Sequence, residues 1–395
     1  MHRRTAFIMA IASLVVGLME IGETSAGQLG PERVVSALKG QLSENYTFVI
    51  GFTGDIDHNL LPASANATVD IALLHAIAAN LKVEDAFALS RQASVDWVWY
   101  LHPDEAGITV RALQGIDYAV KTLEVPNLIN LSIGPPTTFY RIEEEKDAPF
   151  SRAIRAAAEK GFITVVAIGN TGAAAPGYVN PWSLPDEVIS VGAWDHQTDT
   201  VWTGSSTGLA DHPAAWPDVI APGVDVIGPW TTARDKPADR RAYDEGNAHF
   251  RASVPREKWD QYTMMTGTSQ AAAVVSGAAA QVLRYLKGFI AEHHRKPGDK
   301  LFSLEAGPER ISDYQRTAAR VTGTAVPSAG GGMIYEYTLD APWKLVKQIL
   351  IDTAIPVKGA EPWQAGAGRV DPDYIRAQFG AYGIEPPQIV PVKIK

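Results

Sequence analysis

The chain contains no cysteine at any of its 395 positions. That absence excludes disulfide bonds, thiol catalysis, cysteine-ligated metal sites and a lipoprotein anchor. Exported proteins rely on disulfides mainly when the domain is too small to bury a sufficient core, and a chain of this length is not. The lack of cysteine is therefore compatible with an exported protein.

The chain also lacks an apolar run of the roughly twenty residues that a membrane-spanning helix needs. The N-terminal run, residues 6–19, follows the basic residues Arg3 and Arg4 and precedes the small residues Thr24-Ser25-Ala26. A basic start, a short apolar run and a small-residue cleavage site are typical of a secretory signal peptide. We therefore expect a signal peptide over 1–26 and a secreted or periplasmic protein, with an uncleaved anchor as the alternative.

Positive charge is scarce as well, since the formal net charge is −9 and no basic patch stands out. Nucleic acid is therefore not expected as a partner. No cluster of residues indicates a cofactor or a metal site, so we expect neither. We expect a monomer.

Strand-like and helix-like segments alternate along the chain, which predicts an α/β fold with a mostly parallel sheet and helices on both faces. The predicted strands are 46–52, 95–101, 128–133, 162–168 and 188–191, and the predicted helices are 71–81, 110–123 and 153–160. We expect a short lead at 27–45, one domain at 46–380 and a tail at 381–395. Residues 231–261 and 292–341 have irregular, polar sequences that predict surface insertions without a core.

The strongest local signal is the sequence Gly267-Thr268-Ser269-Gln270, which precedes a run of small residues. Gly267 permits a tight turn, and the small residues predict a helix buried against a sheet. Free N–H groups at a helix N-terminus can stabilise an oxyanion, so Ser269 is a candidate nucleophile. An N-cap serine on a core helix is the alternative. The sequence around Ser269 is not a Gly-x-Ser-x-Gly elbow, so another type of α/β serine hydrolase is a more distant alternative.

Several segments in a fixed order resemble the subtilase (subtilisin-like serine peptidase) family over about 46–380. The segment around Ser269 resembles the nucleophile motif, with Ala273 where proline is usual, and 162–170 resembles the strand that ends in the oxyanion-hole asparagine, here Asn170. Further matching segments are 128–134, 188–193, 205–208, 217–223 and 366–370. The resemblance implies a three-layer subtilisin-like fold, peptide-bond hydrolysis and a peptide or protein substrate. It implies substrate binding by Leu131, Ser132, Ile133, Gly134, Ala167, Ile168 and Gly169.

Two motifs of the family have no clear counterpart. Aligning the first predicted strand with the family's Asp-Thr-Gly motif places Phe52 at the aspartate position, and aligning the next predicted helix places Val69 at the position of the catalytic histidine. His58 is then expected to be structural, His75 to be a buried or half-buried histidine inside the predicted helix, and His102 is the candidate substitute base. The sequence leaves two hypotheses, an endopeptidase with a relocated base and an inactive pseudopeptidase that binds peptides.

Overall fold

The computed structural model describes residues 43–101, 103–135, 138–139, 147–172, 175–210, 216–230, 236–306, 311 and 325–381. The predicted signal peptide and most of the lead and the tail lie outside these residues, as does His102. The chain divides into two compact units. Unit one contains residues up to 122 together with 146–156, and unit two contains 123–145 and the residues from 157 onward.

Unit one is built on a four-stranded antiparallel sheet in the order β2-β3-β1-β4. Its strands and helices are β1 Asn45–Phe52, β2 Asn66–Ile71, β3 Ala76–Lys82, α1 Val83–Leu89, β4 Val95–Leu101 and α2 Pro103–Thr122. Asp117 of α2 accepts a hydrogen bond from the main-chain N–H of Leu73 at 2.7 Å, in the turn between β2 and β3. This bond holds α2 against the sheet.

The helix predicted at 71–81 is wrong, because this segment forms the end of β2, a left-handed turn at His75 (φ 48°) and strand β3. β3 lies between β1 and β2, and all four residues from Ala76 to Ala79 are buried. A central strand buried on both faces has a continuous apolar sequence, which periodicity cannot distinguish from a buried helix. The main-chain N–H of Phe52 donates to the carbonyl of His75, which closes the turn against β1.

Unit two contains the parallel sheet that the sequence predicts. β5 Asn127–Leu131, β7 Phe162–Ala167, β9 Val188–Asp195 and β11 Val219–Pro222 pair in parallel in that order. β10 Thr200–Val201 forms a hairpin with β9, and β6 Thr138–Phe139 pairs with β8 Tyr178–Val179. β5 is an edge strand of the sheet, so one of its sides has no neighbouring strand among the described residues.

Helices α6 and α7 pack against this sheet and against one another. The helices are α3 Pro149–Glu159, which is shared between the two units, α4 Ala238–Gly246, α5 Ala248–Ser253, α6 Thr268–Glu292, α7 Pro342–Asp352, α8 Pro362–Ala365 and α9 Pro372–Ala381. The buried face of α6 is made of small residues such as Ala271, Ala272 and Val275, which allow close approach to the sheet. In the described part of the chain, no helix is both long enough and apolar enough to cross a membrane.

Both segments predicted to be surface insertions contribute buried residues. In the first segment, Phe250 and Val254 pack with Met264 of the hairpin formed by β12 Val226–Pro229 and β13 Tyr262–Met265. In the second, β14 Lys300–Ala306, β15 Ala325–Pro327 and β16 Met333–Thr338 form a sheet whose aromatic residues join the main core of unit two. In the sequence, the buried apolar residues of these segments are interspersed with exposed charged residues, so no apolar pattern stands out.

Candidate functional site

Helix α6 begins at the carboxyl end of the parallel sheet, which is where sites form in such folds. Its N-cap is Gly267, whose main-chain N–H donates to the carbonyl of Gly223, directly after β11, at 2.8 Å. A Cβ atom on Gly223 would lie 2.5 Å from the Cβ of Ala193 and 2.9 Å from the carbonyl oxygen of Gly267. Only glycine fits this contact, which fixes the start of α6 relative to β9 and β11.

Asn170 follows β7 and meets the first residue of α6. Its side-chain oxygen accepts hydrogen bonds from both the main-chain N–H and the hydroxyl of Thr268, each at 2.9 Å. Because the main-chain N–H can only donate, the oxygen of Asn170 faces Thr268 and its NH₂ group faces elsewhere. Within the described residues, the N–H of Ser269 has no acceptor. The NH₂ group of Asn170 and the main-chain N–H of Ser269 are thus left for a ligand oxygen.

Ser269 and Ser132 are joined by two reciprocal hydrogen bonds. The hydroxyl of Ser269 donates to the carbonyl of Ser132 at 3.2 Å, and the hydroxyl of Ser132 donates to the carbonyl of Ser269 at 2.9 Å. Asn130 reinforces the connection, since its side chain contacts Ser132 and also Ser276, which lies two turns after Ser269 on α6. The structure therefore brings together Ser269, Asn170 and the predicted substrate-binding segment after β5.

The predicted substrate-binding residues offer mainly their main chain. The side chains of Ala167 and Ile168 are buried, and Gly169 has a φ of 115° that favours glycine. Leu131 ends β5, and Ser132, Ile133 and Gly134 continue from it. Of this set, only the side chain of Ile133 is largely exposed, at 51%.

No described histidine is hydrogen-bonded to Ser269. In unit two, the ring of His196 packs against that of His249 with their centroids 5.9 Å apart, and His293 contacts the carbonyl of Phe289 at the far end of α6. In unit one, His58 pairs with Asp70 at 3.2 Å. His102, the candidate substitute base, lies outside the described residues.

Residues that the sequence analysis did not single out hold this site in place. Thr268 orients Asn170, and Ser206 supports the loop after Asn170. The N–H of Ser206 donates to the carbonyl of Gly169 at 2.9 Å, and its hydroxyl accepts from the N–H of Thr171 at 3.1 Å. The sequence did contain a signal for Ser206, because 205–208 is one of the family-like segments, but polar composition gave no indication that Ser206 is fully buried.

The described residues contain no group of three or more histidine, aspartate or glutamate side chains that could hold a metal ion. At the start of α6, the main-chain N–H of Ser269 and the dipole of the helix favour an acceptor oxygen or a negative charge.

Two solved structures of peptidases are similar to the chain. A lanthipeptide protease is 19% identical, covers 68% of this chain and 65% of that one, and has a TM-score of 0.43. The prenylagaramide maturation protease PagA is 21% identical, covers 67% and 65% respectively, and has a TM-score of 0.37. Both scores are below 0.5, so the α/β assignment rests on the sheets and helices described above.

Two proteins of known class are similar in sequence. Serine protease AprX of Bacillus subtilis (strain 168) is 26% identical over 205 residues, which make up 49% of this chain and 42% of AprX. Subtilisin-like protease 3 of Pseudogymnoascus destructans is 29% identical over 182 residues, 45% of this chain and 40% of that protein. The chain thus aligns with less than half the length of each.

The sequence model of the subtilase family matches residues 89–359. The match includes Asn170 and Ser269 but not Phe52 or Val69. Phe52 ends a strand with antiparallel neighbours, and Val69 lies in β2 instead of the helix on which its alignment with the catalytic histidine depended. Because the match covers more than half of the chain, the chain belongs to the subtilase family of serine peptidases.

Proposed function

We propose that this protein is an exported subtilase that binds peptides at the site around Ser269 and hydrolyses them very slowly or not at all. One observation carries the proposal: the hydroxyl of Ser269 donates to the carbonyl of Ser132, and no described histidine accepts its proton. A serine hydroxyl is a weak nucleophile at neutral pH unless a base activates it. Loss of the histidine from a complete triad costs roughly a millionfold in turnover.

We infer that the described residues before the family match hold no counterpart of the family's catalytic aspartate and histidine. Phe52, which the sequence aligns with the aspartate position, can neither orient an imidazole nor offset its charge. An oxyanion hole without a base supports only about a thousandfold acceleration over water. Any residual hydrolysis by this chain is therefore expected to be slow.

Peptide binding is supported by the edge position of β5 and by the N–H donors at the start of α6. An extended peptide can pair with a free strand edge through main-chain hydrogen bonds. Ser132 and Gly134 continue that edge, and Asn170 with the N–H of Ser269 offers donors to a peptide carbonyl. We propose that these residues, with Leu131, Ile133, Ala167, Ile168 and Gly169, form the peptide site.

The second candidate function is endopeptidase activity with His102 as the base. The retained donors favour it, because an oxyanion hole contributes most when charge develops on a carbonyl oxygen during hydrolysis. In a related enzyme, removal of one such donor costs about 3 kcal/mol of transition-state stabilisation. This candidate requires His102 to reach Ser269 in the folded protein.

A fluorophosphonate probe at neutral pH, followed by mass spectrometry, separates the two functions. We expect negligible labelling of Ser269 in the wild-type protein and unchanged peptide affinity in Ser269→Ala. Ser276→Ala, on the same helix, is the matched control. Rapid stoichiometric labelling of Ser269 would sink the proposal, and loss of that labelling in His102→Ala would establish the endopeptidase instead.

We also propose that the protein is exported and that its mature chain begins near Gly27, because 1–26 has the pattern of a signal peptide. The peptidase domain proposed from the sequence extends over 46–380. N-terminal sequencing of the protein from the secreted fraction tests the export proposal. A secreted chain that begins at Met1 would contradict it.

A further inference from the structure

The parallel ladder between β5 and β7 stops just before the proposed peptide-binding segment. Its last pair joins Leu131 to Val166. The carbonyl of Ala167 lies one residue beyond that pair and the carbonyl of Ile133 two residues beyond it, where no further pair of the ladder follows. Main-chain carbonyls in such a place need hydrogen-bond donors from elsewhere.

The side chain of Asn180 supplies both donors. Its NH₂ group donates to the carbonyl of Ala167 at 2.9 Å and to the carbonyl of Ile133 at 3.1 Å. Its oxygen accepts from the N–H of Trp182 at 3.1 Å, which settles the orientation of the carboxamide. Asn180 is only 4% exposed, and its own N–H donates to the carbonyl of Ile168 at 2.7 Å. The residue is thus fixed to the end of β7 and reaches across to the chain after β5.

Gly134 is shaped to receive this side chain. A Cβ atom at position 134 would lie 2.3 Å from the side-chain oxygen of Asn180 and 2.5 Å from its nitrogen. Both atoms are held by hydrogen bonds, so neither can move aside without losing them. An asparagine at position 180 can therefore make these hydrogen bonds only when position 134 is glycine.

We propose that Asn180 is a positioning residue for peptide binding, acting as a side-chain rung that extends the β5–β7 ladder into 132–134. Successive residues of an extended strand turn their carbonyls to opposite sides. Ile133 is held toward β7 by Asn180, whereas the carbonyl of Ser132 points to another partner, Ser269. The rung thus leaves the main-chain groups of Gly134 and the N–H of Ser132 for an extended peptide. This inference rests on the proposed peptide binding.

The central variant is Asn180→Ala, and the matched control is Ser183→Ala. The hydroxyl of Ser183 donates to the carbonyl of Asn180 at 2.6 Å in the same buried turn but does not touch the segment after β5. Hydrogen exchange of 131–135 is measured in the free protein, and affinity is measured with fluorescein-labelled casein peptides. We expect Asn180→Ala to accelerate the exchange and to raise the Kd, each by about tenfold, since two hydrogen bonds are lost. Ser183→Ala should change neither by more than about twofold.

A double-mutant cycle between Gly134 and Asn180, measured by peptide affinity, distinguishes direct contact of the two residues from general destabilisation of the fold. Gly134→Ala should abolish binding in the wild-type background, because the new methyl group meets the carboxamide of Asn180. In the Asn180→Ala background the same substitution should cost less than about threefold, because the obstructing group is gone. Additive effects of the two substitutions would overturn the proposal.

The two proposals fail in distinguishable ways. If residues 131–135 exchange in Asn180→Ala at the wild-type rate, the positioning role of Asn180 is overturned, whether or not the Kd for the peptide changes. If the wild-type protein binds no casein peptide, the proposed function falls and the role of Asn180 in binding falls with it. If Asn180→Ala does not fold, Asn180→Asp keeps the side-chain shape without the donors and is expected to show the same accelerated exchange.

Discussion

Asn170 and Thr268 are joined by two hydrogen bonds to one oxygen atom. The side-chain oxygen of Asn170 accepts from the N–H and from the hydroxyl of Thr268, both at 2.9 Å. The contact connects the end of β7 to the start of α6. The contact also determines that the NH₂ end of the Asn170 carboxamide is free to meet a ligand. Thr268 therefore orients this donor without contacting the ligand itself.

The substitution Thr268→Val removes one of these bonds and keeps the shape of the side chain. Because Thr268 is buried, we expect the free energy of unfolding to fall by about 1 kcal/mol. Peptide affinity should fall as well, since Asn170 is less firmly oriented. Urea unfolding and fluorescence anisotropy measure the two effects. Thr198→Val, at an exposed turn, is the control and should be neutral. An unfolding free energy equal to that of the control would show that the hydroxyl contributes nothing.

The buried ion pair between Lys236 and Asp244 should be essential to the segment that contains α4 and α5. Their charged atoms lie 2.6 Å apart, and both side chains are almost completely buried, at 1% and 0% exposure. Removing one partner leaves an unpaired buried charge, so Lys236→Met should cost about 3–5 kcal/mol in chemical denaturation. The double variant Lys236→Met with Asp244→Leu should recover part of that loss.

The exposed pair of Lys344 with Asp340 provides the comparison. Because solvent screens this pair, Lys344→Met should change the free energy of unfolding by less than about 1 kcal/mol. Equal losses at the buried and the exposed pair would contradict the role assigned to burial.

Asp352 should make stability depend on pH. Burial raises its pKa to about 7, although hydrogen bonds from Tyr337 and Gln348 act in the opposite direction. The folded state then keeps a proton that the unfolded state has released, so the contribution of Asp352 is fully present below about pH 4 and decreases as the pH rises to about 7. We expect Asp352→Asn to flatten this decrease when urea unfolding is compared at pH 5 and pH 8.

Asp340→Asn is the control for that pH series. The hydrogen bond from Lys344 lowers the pKa of Asp340, so its contribution is lost only as the pH falls into the acidic range below its usual pKa. Between pH 5 and pH 8 this control should have the slope of the wild-type protein. A wild-type slope in Asp352→Asn would show that other groups produce the pH dependence.

Gly223→Ala should destabilise the protein at the start of α6. The added methyl group would lie 2.5 Å from the Cβ of Ala193, and overpacking of this kind costs about 1–3 kcal/mol. Gly228→Ala, where the methyl group meets nothing within 4 Å, is the matched control in the neighbouring strand. Calorimetric Tm values should separate the two variants by several degrees. Indistinguishable Tm values would mean that the backbone yields at Gly223.

The sequence predicted the parallel sheet and the helix after Ser269 because these elements have regular apolar periods and characteristic glycines. In unit one it predicted β1, β4 and most of α2, but not β2, β3 or the antiparallel pairing. β3 is buried on both faces, so its apolar sequence is equally typical of a helix, and the alignment of Val69 with a catalytic histidine followed from that error. Asn180 also went unrecognised, since an asparagine before a proline is typical of an exposed turn. Its burial depends on two carbonyls that are distant along the chain.

The meeting of Gly223 with Gly267 has a consequence for how this protein can be altered. The chain departs after Gly223, forms the β12–β13 hairpin with α4 and α5, and returns to the same point, where the two glycines are joined by a 2.8 Å hydrogen bond. Because the segment 224–266 begins and ends at the same place, its length does not determine the position of Ser269. That segment is a natural site for grafting a foreign module, since the hairpin stem can stay while everything beyond it is exchanged.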